Sequence, residues 1–80
     1  MVKNSVMQIY EVSELIYNFK GRRYVETNQR CWRGRSELCR QENLKYNGTV
    51  DYQFNRKKNL QCDLEKDGKL LRIRKILNGI

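Results

Sequence analysis

Histidine and proline are both missing from the chain, and each absence excludes something. Without histidine, no side chain has an unperturbed pKa near neutrality, so acid–base catalysis would need a strongly shifted carboxylate, lysine or cysteine. Without proline, and with its five glycines spread out, the chain has no segment with the composition of an interdomain linker. We therefore expect the 80 residues to form one small domain that is not an enzyme.

Long apolar runs are also missing. No run approaches the roughly 18 residues needed to cross a bilayer. The first 18 residues lack the basic start and uninterrupted apolar core of a secretory signal. These features predict an intracellular protein, nuclear in a eukaryote and otherwise cytoplasmic, with no membrane partner.

Cysteine is scarce and odd in number, which leaves three interpretations of Cys31, Cys39 and Cys62. They could be small buried side chains, or two of them could pair in an oxidising compartment. With Asp63 they could also bind zinc, although the spacing contains no paired Cys-x2-Cys knuckle. We favour buried thiols, with no metal and no cofactor. An acidic set that could hold Mg²⁺, but more often forms a solvated loop, is Asp63, Glu65 and Asp67.

Positive charge is what the chain has in excess, with 17 Lys and Arg against 9 Asp and Glu and a formal net charge of +8. The basic residues come in blocks with aromatic residues between them. Such a pattern suits a phosphate backbone with bases beside it. We predict a non-enzymatic nucleic-acid-binding domain, with DNA favoured over RNA. The residues expected to make the contacts are Arg22, Arg23, Arg33, Arg35, Arg56, Lys57, Lys58, Arg72, Arg74 and Trp32.

Other interpretations of the same residues stay open. A basic face also fits a protein-interaction module or small inhibitor that docks an acidic protein surface, and it also fits an ordinary solvated surface. Trp32 could stack on a base or could be the centre of the core. A homodimer formed through an open sheet edge is compatible with either function.

Three turn signals, Lys20-Gly21, Asn47-Gly48 and Asp67-Gly68, predict three hairpins. They indicate a mainly β fold with a small antiparallel sheet of three to five strands. We expect residues 1–14 to form an N-terminal arm or short helix, and residues 15–80 to form the β-rich domain, with the first strand starting at Leu15. Residues 70–77 could be a strand or a turn or two of helix.

The last two turns make different predictions about strand pairing. A two-residue Asp67-Gly68 loop places Arg72 and Arg74 on the face opposite Leu71 and Ile73. It pairs Lys66 with Lys69, Leu64 with Leu71 and Cys62 with Ile73. For Asn47-Gly48 the same arithmetic conflicts, so that loop must be longer or bulged, or one strand is not paired this way. In that register Leu44 and Tyr46 would lie on the opposite face from Val50, Tyr52 and Phe54.

A set of residues spread over about residues 15 to 66 resembles a FLYWCH-type zinc-finger domain. They are Leu15-Ile16-Tyr17-Asn18, Gly21, Tyr24, Trp32, Cys39, Asn47-Gly48-Thr49-Val50, Lys57-Lys58-Asn59-Leu60 and Asp63. The resemblance implies a small antiparallel sheet used for DNA binding or protein contact. Of the family's four zinc ligands only Cys39 is kept, because the other positions hold Gly34, Lys58 and Leu60. The resemblance therefore implies a zinc site that is lost or rebuilt.

Overall fold

The structure, a computed structural model, describes residues 8–45 and 48–77, and its main element is a four-stranded antiparallel sheet. The strand order is β2-β1-β4-β3, so the two central strands are β1 and β4. The predicted mainly β fold with three to five strands is confirmed. The strands are β1 (Gln8–Asn18), β2 (Arg23–Arg33), β3 (Gln61–Lys66) and β4 (Lys69–Leu77).

A helical layer connects β2 to β3 and covers one face of the sheet. It consists of α1 (Arg35–Gln41), α2 (Thr49–Asp51) and a π-helical turn (Tyr52–Arg56). Gly34 lies between β2 and α1 with φ 85°, a left-handed conformation that glycine adopts without a steric penalty. The chain can therefore leave the sheet abruptly and fold back over it.

The core lies between the helical layer and the sheet face beneath it, which we call the core face. Tyr10, Val12 and Ile73 are completely buried there, and the Tyr10 and Phe54 rings meet edge to face with centroids 5.4 Å apart. Each such aromatic residue buries a large apolar area, so these contacts hold much of the small domain together. The remaining buried members of the cluster are Leu38, Cys39, Val50, Cys62 and Leu71.

Two expectations about the elements were wrong. The first strand begins at Gln8, not at Leu15, so residues 8–14 are strand and not an arm or helix, whereas residues 1–7 lie outside the described part. The strand expected around Val50 and Phe54 is helical. Both of these side chains are buried and Tyr52 between them is exposed, which fits a helix because residues four apart share one side. The turn predicted at Asn47-Gly48 lies partly outside the described residues, and the described residues on either side of it form no strand, because Gly48 directly precedes α2.

The hairpin predicted at Asp67-Gly68 is confirmed in every pairing, with Lys66 opposite Lys69 and Cys62 opposite Ile73. Asp67 and Gly68 have φ 52° and 82°, as a two-residue type I′ turn requires. Residues 70–77 are strand, and Arg72 and Arg74 lie on the face away from the core. We call this second sheet face the polar face.

The hairpin predicted at Lys20-Gly21 is also confirmed, and it extends well past the rest of the sheet. The pairing of β1 with β4 ends at Leu15 and Leu70, whereas β1 and β2 stay paired as far as Asn18 and Arg23. Residues 16–25, which we call the hairpin tip, therefore project as a two-stranded ribbon. This agrees with an elongated molecule of 55 × 26 × 22 Å.

The three cysteines differ in burial. Cys39 and Cys62 are buried, Cys31 is exposed on β2, and all three are free. Burial raises the pKa of the Cys62 thiol to about 11.

None of the helices within residues 8–45 and 48–77 has the length and apolar character needed to cross a bilayer.

Candidate nucleic-acid interface

The ten residues predicted to contact nucleic acid do not form one surface. Arg22 and Arg23 are on the hairpin tip, and Arg33 is at the opposite end of β2. An 11-residue strand spans roughly 33 Å, so these two positions are far apart. A second basic group lies at the end of the π-helical turn and directly after it. It consists of Arg56, Lys57 and Lys58. The other four predicted residues are occupied inside the protein.

Arg72 and Arg74 are neutralised by carboxylates on the polar face. Arg72 makes a bidentate pair with Asp63, with both N–O distances 2.9 Å. Arg74 donates to both oxygens of Glu26, and to Glu11 at 3.1 Å. The polar face is therefore a network of alternating charges, and it does not present the two guanidinium groups to a partner.

Glu26 is the centre of this network. Its carboxylate also accepts a hydrogen bond from Ser13, which is 1% exposed and lies opposite a bulge in β2. The hydrogen bonds from Arg74 lower the pKa of Glu26 to about 2, with a smaller contribution in the same direction from Ser13. Glu26 thus stays ionised, and keeps the two arginines paired, through the whole physiological range.

Arg35 and Trp32 also have roles within the fold. Arg35 pairs with Asp51 at 2.6 Å and so joins α1 to α2. Trp32 is half-buried against the core, which was one of its two interpretations, and its indole N–H donates to Glu42 at 2.6 Å. The same carboxylate pairs with Arg30, so Glu42 ties the indole and a guanidinium to the end of α1. We do not include Arg35 or Trp32 in the interface.

The hairpin tip carries a cluster of exposed aromatic rings. Tyr17 lies between Phe19 and Tyr24, and both pairs of rings meet edge to face, with centroids 5.0 and 5.2 Å apart. Phe19 is 82% exposed and Tyr24 is 54% exposed. Apolar residues scattered singly on a surface are normal, but a contiguous exposed group marks a site of interaction. The cluster gains a rigid arrangement from ring–ring contact without being covered by the protein.

The turn of the same hairpin and the start of β2 carry three cations: Lys20, Arg22 and Arg23. Residues 16–25 contain no acidic residue, and within the described part of the chain none of the three cations forms an ion pair. The turn itself is held by Asn18, whose side-chain oxygen accepts hydrogen bonds from the N–H groups of Lys20 and Gly21. The tip is therefore an ordered platform that combines uncompensated positive charge with aromatic surface.

A second basic and aromatic group, which we call the helical patch, consists of Tyr52, Arg56, Lys57, Lys58 and Leu60. Tyr52 is half exposed, and the Lys57 ammonium lies 5.4 Å from the centre of its ring. Residues 52–60 contain no acidic residue either. Lys58 and Leu60 line a shallow pocket with Lys75 from the adjoining part of β4.

The aromatic half of the tip was not identified from sequence. Tyr17 and Tyr24 could have been either core or surface residues, because alternation along a strand does not show which face is dry. One signal was present: Leu15, Ile16 and Tyr17 are consecutive apolar residues immediately before a turn. A two-stranded ribbon cannot bury both of its faces, so some of these side chains had to remain exposed.

Comparison of the chain with protein-family models, with curated proteins and with solved structures found no significant match. The resemblance to FLYWCH-type domains therefore stays a prediction. Among residues 8–45 and 48–77, no three Cys, Asp or Glu side chains are arranged to hold a metal ion. The best-formed candidate site on the described surface is the hairpin tip, with its exposed rings and unpaired cations.

Proposed function

We propose that this protein binds single-stranded nucleic acid, without catalysis, through its hairpin tip. The observation that carries the proposal is the grouping of three exposed rings, with Tyr17 in contact with both Phe19 and Tyr24, and three unpaired cations on one projecting ribbon. Cations that neutralise phosphates together with rings on which bases stack are the two components of single-strand binding. Stacking on a protein ring requires a base whose face is accessible. A single strand offers such faces and a duplex does not, so the rings favour a single strand.

The charge of the tip also argues for an anionic partner over a second copy of the chain. Two tips brought together would place six cations side by side with no acidic residue from either ribbon to offset them. A phosphate backbone removes that repulsion and releases counterions as it binds. The exposed apolar surface and the charge are therefore satisfied together by a nucleic acid strand.

The test is fluorescence anisotropy with labelled oligonucleotides of DNA and RNA, in single-stranded and duplex form. The binding constant should fall steeply between about 50 and 200 mM salt. Replacing the three tip cations (Lys20→Gln, Arg22→Asn and Arg23→Gln) should reduce the salt slope by about 2, since each lost phosphate contact removes roughly 0.7. Asparagine replaces Arg22 because the backbone at that position has φ 53°, a conformation that asparagine tolerates.

A matched control separates the tip from net charge. Arg40→Gln, Lys45→Gln and Lys69→Gln remove the same number of exposed cations elsewhere on the surface. This control should keep most of the affinity and the salt slope. The proposal is wrong if no oligonucleotide binds, or if the two triple variants weaken binding equally.

A second candidate function, docking of an acidic protein surface, is favoured by one specific observation. Ile16 and Val25 pair across the tip on the face away from the rings, and both are exposed. Phe19→Leu distinguishes the two functions, because leucine keeps apolar area but cannot stack on a base. Loss of one stacking contact, worth about 1–3 kcal/mol, supports nucleic acid. Salt-sensitive capture of an acidic protein that is indifferent to this change would support protein docking.

A further inference from the structure

We propose that each chain has two separate nucleic-acid sites, the hairpin tip and the helical patch, and that one chain holds two strands at once. This inference rests on the proposed function and extends it from binding to bridging. It assigns the second site to Tyr52, Arg56, Lys57 and Lys58, beside the pocket formed with Lys75.

The helical patch repeats the composition of the tip on a different element. It presents a half-exposed ring, Tyr52, with an ammonium 5.4 Å from its centre, and three cations in consecutive positions. Within the described residues Arg56, Lys57 and Lys58 form no ion pair. The two carboxylates that flank the group in sequence are already bound, Asp51 by Arg35 and Asn55, and Asp63 by Arg72. The patch is therefore free to neutralise phosphates.

The two sites lie at opposite ends of the molecule. The π-helical turn packs on the first part of β1 through the contact between Phe54 and Tyr10. Tyr10 and Asn18 are eight residues apart on this strand, which corresponds to about 26 Å at 3.3 Å per residue. The tip begins beyond that point, so one stacked base cannot reach both sites.

The two sites also lie on opposite sides of the sheet. By strand alternation Tyr17 and its partner Tyr24 are on the polar-face side, whereas Tyr52 belongs to the layer over the core face. A strand leaving the rings of the tip along the polar face would run over the network around Glu26, in which two arginines meet three carboxylates and neither arginine is unpaired. This arrangement favours two separate strand segments over one continuous strand.

The test is energy transfer between two short oligothymidylates, one carrying a donor dye and one an acceptor, mixed with the full chain. Transfer should appear when the oligonucleotides are in slight excess and should decline when protein is in large excess, because each strand then occupies its own chain. A tip variant (Arg22→Asn, Arg23→Gln and Phe19→Leu) and a patch variant (Arg56→Gln, Lys57→Gln and Lys58→Asn) should each lose transfer. Asparagine replaces Lys58 because its φ is 56°.

Three controls make the outcome decisive. Each variant should still bind one labelled strand per chain, against two for the natural chain, as measured by titration at low salt. Far-ultraviolet circular dichroism should show that both variants are folded. An equimolar mixture of the two variants should give no transfer, because neither chain has both sites.

Failure of bridging and failure of the proposed function give different results. One strand per natural chain with no transfer overturns the bridging proposal and leaves binding by the tip intact. Transfer restored by the mixed variants also overturns it, because association between chains would then supply the second site. No binding of any single oligonucleotide overturns both proposals.

Discussion

At the scale of residues, charge on this protein acts in two ways that composition cannot separate. Arg72 and Arg74 have the same formal charge as Arg22 and Arg23, yet the first two are held by carboxylates on other strands of the sheet. The pairing of Arg72 with Asp63 follows from the β3–β4 register, whereas Glu26 is 48 residues from Arg74 in sequence, so no local pattern shows that second pairing. The cations that we propose to bind nucleic acid are therefore those without a carboxylate partner on another strand, and their identification requires the arrangement of the whole sheet.

The network around Glu26 predicts a specific acid response. Because the pKa of Glu26 is lowered from 4.5 to about 2 on folding, its ionised form favours the native state. This contribution is complete above pH 4.5 and is lost as the pH falls through 2. Glu26→Gln should therefore lower the free energy of unfolding at pH 7 by about 1 kcal/mol. It should also flatten the pH dependence between 4.5 and 2, measured by urea denaturation.

Equal slopes for the natural chain and Glu26→Gln over that pH range would contradict the assignment. Glu26→Asp is a useful companion variant, because it keeps the charge and moves the carboxylate back by one methylene group. It should retain only part of the acid response, because the pair with Arg74 depends on geometry as well as on charge.

At the scale of elements, the two hairpins differ in how much of their length is supported. The β3–β4 hairpin has one face in the core through Cys62 and Ile73, and its turn is two residues long. The β1–β2 hairpin is supported by β4 only as far as Leu15. The β3–β4 hairpin is therefore part of the core, whereas the far end of the β1–β2 hairpin is the part that we propose contacts a partner.

The turn of β3–β4 gives a prediction with an internal control. Gly68 has φ 82°, so Gly68→Ala should destabilise the protein by roughly 1 kcal/mol because a Cβ is unfavourable in that region. Gly21, in the turn of β1–β2, does not require the left-handed region, and an added Cβ would make only ordinary contacts at 3.5 Å or more. Gly21→Ala should therefore change stability by less than about 0.5 kcal/mol. Equal effects in chemical denaturation would show that Gly68 does not need its positive φ.

The same contrast explains which elements could be predicted from sequence. The β3–β4 register follows from local chemistry, because Asp67-Gly68 defines the turn and alternation defines the faces. The helical layer could not be assigned this way, since Val50 and Phe54 satisfy both strand alternation and helical spacing. Tertiary contact between Phe54 and Tyr10 decides between them, and that contact joins residues 44 positions apart.

At the scale of the whole molecule, the core and the proposed binding site are formed by different parts of the chain. The buried cluster draws on β1, β3, β4 and the helical layer, and none of its members lies in residues 16–25. The exposed rings and unpaired cations of the tip lie on a ribbon that contributes no side chain to the buried cluster. A long, thin shape of 55 × 26 × 22 Å is the result, with the tip reaching away from the compact part.

Removal of the tip tests this separation directly. Residues 17–24 can be replaced by Asn-Gly, which forms a two-residue turn and keeps the pairing of Ile16 with Val25. The shortened chain should unfold cooperatively in urea, with a free energy within about 1 kcal/mol of the natural value, because no core residue is lost. It should lose the oligonucleotide binding assigned to the tip. A shortened chain that does not fold would show that the ring cluster stabilises the domain, and one that binds with unchanged stoichiometry and salt slope would place the interface elsewhere.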